Sequence, residues 1–483
     1  MFYLRKPLHP TWIFTVLCGS VVAGITMSPI LPSGLFGQFQ YFMIAMIGIG
    51  WGFYKRRRYV ILPVILFGLL LGVWRGSLER QALDPVAYCI GKSVKVVGVV
   101  SDDIDVGKKG EMVIRLGDLN LNGQEIPGSI WVSVNGEANV RRSDTLEVKG
   151  KLSEGFGSFS ASMYRGEIVK IDRPSPGDIA LDMRDGFAEN VRKAVNEPMA
   201  SLGLGYLVGQ RRALPADLDE ALKVAGLTHI VVASGYNLTI LVRFARRYFE
   251  KISKYLATII PAGLVLVFMA VTGMSPSMSR AGFVSLLSLA AWYFGRKFHP
   301  VTLLLFAAAV TTSINPQYAW GDLGWQLSFA AFGGVMIIAP LLQAYFFGEK
   351  KPGAIRQVLG ETFSAQIATA PIIIFAFGTF SLVAILSNML ILPLVPLAML
   401  LTFAAGIGAI LFPSAAGIVG WPADVLLNYM VETARWSADL PWAQLKIEIP
   451  IQVVVLVYGV MILACIYMLR VTKLHLRNSQ IVE

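Results

Sequence analysis

The chain has 483 residues, 55% apolar and 15% charged, with a mean hydropathy of +0.60 and a formal charge of +11. That balance excludes a soluble globule and a disordered tail, and points to a polytopic α-helical membrane protein. Three cysteines and four histidines stand singly, so no disulfide framework, metal cluster or cofactor is expected.

Residues 12–30 and 37–54 are apolar runs separated by Pro29, Pro32 and Gly34. The KRRR cluster at 55–58 marks the cytoplasmic side by the positive-inside rule, and residues 59–74 cross back. The N-terminus is then expected inside, and residues 76–226 outside. Other basic groups follow the same logic: Arg243, Arg246, Arg247, Lys251 and Lys254, then Arg296, Lys350 and Lys351, then Arg470 and Lys473. Topology therefore accounts for the positive charge before any partner is invoked.

Between residues 93 and 173 the period changes. SVKVVGVV, EMVIRL, SIWVSV, DTLEVKG and RGEIVKID are five short β-branched or alternating runs separated by Gly, Asn, Asp and Pro. Five strands in this length suit a small all-β barrel of the OB kind, inserted outside the cytoplasm. Such barrels bind single strands through basic grooves and stacked aromatics. Trp131, Phe156, Phe159 and Tyr164 are candidates to stack, and Arg141, Arg142, Lys149 and Lys151 to meet phosphates. Against this, residues 84–177 hold 12 basic and 13 acidic side chains, which suits a solvated face with Trp131 in the core.

Residues 179–197 and 215–225 read as amphipathic helices, and the Gly-rich 199–210 as an interfacial or re-entrant piece too short to span. The stretch 226–242, GLTHIVVASGYNLTILV, follows. It is apolar enough to enter a bilayer yet carries Thr228, His229, Ser234 and Asn237, with a helix-weakening Ser234-Gly235 pair. The expectation is an interrupted, cavity-lining span; the plainer alternative is a packed helix held by small and polar residues.

Beyond residue 255, TGMSPSMSRAG interrupts the next pair of spans, with Arg280 just inside the second. Asp322 either caps a helix or pairs with Arg280, and Gln326 lies one turn after it. Residues 362–378 contain Gln366 and Pro371 in an apolar run, and 380–412 contain Asn388, Pro393 and Pro396, which call for two short pieces. Residues 422–440 either lie on the surface or cross, and 451–470 are a last span. About twelve crossings result, with the C-terminus cytoplasmic. The expected divisions are 1–75 (helices), 76–177 (barrel), 178–226 (amphipathic and re-entrant helices), 227–470 (channel) and 471–483 (tail).

In order, GLTHIVVASGYNLTIL (226–241), TGMSPSMSRAG (272–282), the run 315–342 and the run 364–396 resemble the ComEC/Rec2 competence protein family. The resemblance implies a cytoplasmic (inner) membrane channel that passes single-stranded DNA into the cell during natural transformation. It marks His229, Ser234, Gly235, Asn237, Gly273, Ser275, Arg280, Asp322, Gln326, Ser328, Gln366, Pro371 and Asn388 as motif or channel-lining positions. It also implies partners: the DNA strand, membrane lipids, a DNA receptor, and a cytoplasmic helicase or strand-binding protein. Many family members have His at the place of Asn237, and many continue into a metallo-β-lactamase-like domain. The present sequence shows no His-x-His-x-Asp-His cluster, so a separately encoded nuclease is expected.

The chain itself is expected not to be an enzyme. It has no G-x-x-x-x-G-K-[ST] motif, and a Ser-His hydrolase is disfavoured because His229 and Ser234 lie about 140° apart on a regular helix. Arg280 is expected to draw phosphates into an outer mouth, with amides and hydroxyls lining a wet path. The competing class is a transporter or flippase for a small solute or lipid precursor.

Overall fold

The computed structural model describes residues 8–107, 110–136, 138–210, 214–231, 234–273, 276–296, 299–348 and 353–474. Two compact units share the chain: Met1–Gly177 with His299–Gln326, and Asp178–Phe298 with Leu327–Glu483.

In the first unit, the helices Pro10–Met27 and Ile61–Cys89 cross on small residues. A Cβ on Gly72 would fall 2.2 Å from the Val21 carbonyl oxygen, and one on Gly24 2.3 Å from that of Leu69. Glycine at both positions is what allows the backbones this close. Thr15 and Thr302 hydroxyls meet at 2.6 Å and tie the first helix to Pro300–Ile314. The Ile61–Cys89 helix does not stop near residue 74 as expected. Its 29 residues extend about 44 Å, more than a hydrocarbon core requires. Its last turns place Leu83, Val86 and Cys89 on the core of the β-domain.

That domain has six main strands: β1 (Ser93–Val100), β2 (Met112–Leu121), β3 (Ile130–Val134), β4 (Thr145–Glu154), β5 (Ala161–Met163) and β6 (Glu167–Asp172). β1 pairs with β2, β2 with β3, β3 in parallel with β5, β5 with β4, and β4 back with β1. This closes a five-strand barrel of OB topology. The RGEIVKID run is not the closing strand; as β6 it pairs beside β5 on the same edge of β4. Closure falls to Ala161-Ser162-Met163, too short to show a period. Ile114, Leu116, Val132, Leu146, Val148, Leu152 and Met163 are all 0% exposed inside.

The second unit is helical. Asp178 caps Ile179–Ala194 by accepting from the Leu181 amide. Met199–Val208 is buried against protein along nearly its whole length; a Cβ on Gly203 would reach 2.6 Å from Thr402 Oγ1. The 226–242 stretch is not one helix. Thr228–Val231 forms a short turn, and a new helix, Gly235–Glu250, begins after Ser234. The 380–412 region is two pieces as expected, Ala384–Ile391 and Val395–Leu411, joined by the 3₁₀ turn Leu392–Leu394. A π-turn at Gly334–Ile338 interrupts the Leu323–Phe347 helix.

Among the described residues, six helices are long and apolar enough to cross a membrane: Pro10–Ile30, Arg58–Cys89, Leu323–Phe347, Arg356–Phe377, Ala384–Leu411 and Ile451–Thr472. The chain is thus a multi-pass membrane protein with an inserted small barrel. This set holds only long apolar helices, and further apolar stretches fold as shorter ones. Leu256–Thr272, Pro300–Ile314 and Met199–Val208 are among these.

Candidate functional site

On the barrel, residues of β3, β5 and the 155–160 loop gather the expected aromatics. Ile130 and Val132 point into the core, so alternation turns Trp131 outward. Its ring lies 5.1 Å from Tyr164 and 5.6 Å from Phe156, which is 5.3 Å from Phe159. Tyr164 is 55% and Phe156 46% exposed. Trp131 is therefore half-buried in a surface cluster, not a core residue. These are amphipathic faces on which bases can stack.

The basic candidates divide differently. Arg142 is 7% exposed and so withdrawn from solvent. Lys149 and Lys151 are exposed on β4, opposite Lys95 and Ser93 of β1, away from β3. Met163, just before Tyr164, pairs with Leu152, just after Lys151; this is the nearest approach of the two groups in register. Arg141 is exposed, and its amide donates to Asp144. Burial raises the Asp144 carboxyl pKa, but the Arg173 fork and the Arg141 amide more than offset it and leave the pKa below the usual range. Asp144 is thus a charged staple at the barrel base.

The aromatic loop is held by contacts distant in the chain, which the local strand pattern does not announce. Ser160 hydroxyl and Gln317 amide meet at 3.0 Å, and Gln317 also donates to Glu79 at 3.4 Å. Arg75 donates to Glu79 at 3.0 Å and to the Ser313 and Ile314 carbonyls. A Cβ on Gly321 would fall 2.2 Å from the Gly157 carbonyl oxygen. The loop is thereby clamped to the turn after Pro300–Ile314 and to the extended Ile61–Cys89 helix. Arg75 and Glu79, four apart at the end of an apolar run, were the available signal.

In the same unit, the Asp322 carboxylate accepts from the Trp325 amide and so caps the helix starting at Leu323. Gln326 closes its first turn, and Ser328, the second residue of the other unit's part of this helix, is half-buried.

In the helical unit, the family-motif residues take three roles. The first is structural. Asn237 is 0% exposed and donates to the Tyr206 carbonyl at 2.9 Å, stapling Gly235–Glu250 to Met199–Val208. Ser234 is the N-cap residue and its hydroxyl reaches Asn237 at 3.4 Å. Gly235 approaches Ala281, and Gly273 ends Leu256–Thr272 at φ 81°. Pro371 is buried within Ala354–Phe377. Arg280, expected at an outer mouth, is 3% exposed with its guanidinium 5.7 Å from the Phe329 ring. Ser275 lies outside the described residues.

The second role is a set of buried groups with spare capacity. Gln366 donates to the Ser381 carbonyl, Ser381 to that of Val224, and Ser387 to that of Ala225. Asn388 donates to the Ala384 carbonyl. Yet Gln366 Oε1, Asn388 Oδ1 and Ser364 Oγ have no protein partner among the described residues. Gly226, at φ 71°, brings its turn against this layer; a Cβ there would be 2.5 Å from Ala384 Cβ. The third role is His229, whose ring bonds the Gly226 backbone. Its side chain is exposed.

Among the described residues no cluster of His, Cys, Asp and Glu is arranged to hold a metal ion. The family described as Competence protein matches residues 206–471. Over 260 residues the chain is 23% identical to "ComE operon protein 3" of Bacillus subtilis (strain 168), covering 53% of this chain and 32% of that one. It is 25% identical over 259 residues to an uncharacterized protein of Aquifex aeolicus (strain VF5), covering 52% and 57% respectively. The matched stretch therefore spans about a third of one curated relative and just over half of the other. No solved structure matches.

Proposed function

We propose, since this chain belongs to the competence protein family, that it passes one strand of DNA across the cytoplasmic membrane into the cell. The observation that carries this reading is the trio of buried oxygens on Ser364, Gln366 and Asn388 without a protein partner among the described residues. Left dry, each costs about 1–3 kcal/mol. Water or a passing donor such as a base amine removes that cost, and broken helices beside them supply further exchangeable groups. A path of amides and hydroxyls attracts a polyanion only weakly, which suits movement rather than capture.

In this reading the chain is a conduit, not an enzyme. The barrel's aromatic face guides the strand on the outer side by stacking, and both termini lie in the cytoplasm. A receptor delivers DNA, a separately encoded nuclease removes the other strand, and a cytoplasmic helicase or strand-binding protein supplies the pull.

Deleting the gene in a transformable host should reduce labelled-strand uptake to background, leave growth unchanged, and be reversed by a wild-type copy. A growth defect with uptake intact would instead favour a solute transporter or lipid flippase.

A further inference from the structure

The helix Gly235–Glu250 has three distinct sides. Leu238 and Ala245 are buried, and Leu238 joins Leu241 and Val242 against Val265, Phe268, Met269 and Met278. Arg246 lies 5.4 Å from the Trp292 ring, on a different side of the helix axis from Arg243 and Arg247, and past the helix end Lys254 lies 5.7 Å from the same ring. The side opposite Leu238 and Ala245 carries Tyr236, Arg243 and Arg247, all exposed.

At about 100° per residue these three fall within a sector of about 40° and form one line about 16 Å long. Arg243 and Arg247 are one turn apart, about 6 Å along the axis, comparable to the repeat of phosphates along an extended strand. Phe244 and Tyr248, 65% and 64% exposed, lie about a quarter turn round from the line, so a lipid surface engaging them would leave the arginines to one side. Exposed Glu250 lies near the far end, and Glu361 of Ala354–Phe377 is within electrostatic range of Tyr236. These carboxylates temper the positive potential.

We propose that this line is a phosphate track: Arg243 and Arg247 hold successive phosphates of the single strand while Tyr236 stacks on a base. The proposal rests on the strand-passage reading and names residues that grip the strand. Two cations tempered by nearby carboxylates hold a phosphate long enough to orient it without stalling the chain behind it.

The test uses the full chain in phosphatidylcholine nanodiscs, a fluorescent oligothymidine, and affinity measured against salt. Changing Arg243→Gln and Arg247→Gln together should lower the slope of log affinity against log salt by about 1.4, two phosphates' worth for a single strand. The double lysine variant should restore it, and Lys254→Gln should leave it unchanged. Tyr236→Leu should weaken binding about tenfold at constant slope. A glutamine double variant that is monodisperse and keeps the wild-type slope overturns the track and leaves the conduit reading intact. A wild-type chain that does not bind the oligonucleotide also overturns the track, while the conduit reading stands or falls on the uptake assay. An effect seen only in nanodiscs containing phosphatidylglycerol assigns the arginines to lipid headgroups and also overturns the track.

Discussion

In the barrel the interior is apolar from Val96 to Met163, and charges pair at the surface, Lys95 with Glu147 and Arg115 with Asp102, while the buried Asp144 is met by Arg173. In the helical unit polar groups are inside, and Ser364, Gln366 and Asn388 keep oxygens with no protein partner among the described residues. The first arrangement makes a closed scaffold, and in the proposed reading its working part is what remains on its surface, the Trp131–Tyr164 cluster. In the same reading the second puts the working part in the interior, where a core would normally be complete.

The most damaging way to probe this contrast is a matched pair of glycine substitutions. Gly226 and the barrel's Gly123 both have positive φ, but a Cβ on Gly226 would strike Ala384 whereas one on Gly123 meets nothing within 4 Å. Gly226→Val should abolish transformation by prising the polar layer apart. Gly123→Val should cost only the backbone strain, about 1–2 kcal/mol, and leave uptake near normal. Equal effects would mean that the layer around Gly226 has no special standing.

A smaller effect is expected on the barrel. Replacing Trp131 and Tyr164 together by alanine should lower the full chain's affinity for a single strand at least tenfold, each stacked base being worth about 1–3 kcal/mol. The barrel's thermal midpoint should barely move, since both rings lie outside the core. Unchanged affinity would remove this face from the route and leave the helical unit to act alone.

Parts of this arrangement were legible in the residues. Alternation in SVKVVGVV and SIWVSV announced barrel strands, and Ser234-Gly235 announced the break before Gly235–Glu250, because both are local effects of period and propensity. Ala161–Met163 was not legible, since three residues carry no period and pairing with β3 and β4 alone makes them a strand. The continuation of Ile61–Cys89 past Arg75 was hidden for a related reason: Arg75 and Glu79 look like the end of a span until distant carbonyls and Gln317 are seen to engage them. Asn237 read as a lining group, but the partner that makes it a staple, the Tyr206 carbonyl, is 31 residues away.

The most direct test of the wet interior is thiol access. In a chain with Cys465, the half-buried one of three thiols, changed to alanine, cysteine is placed singly at Ser364, Gln366 and Asn388, and at Leu427, a 0% exposed core position, as control. A charged, membrane-impermeant thiol reagent should modify the first three in membranes, and an added single strand should protect them, while Leu427→Cys stays inert. Three positions as unreactive as the control would contradict a hydrated path, and with it the passage of DNA through this unit.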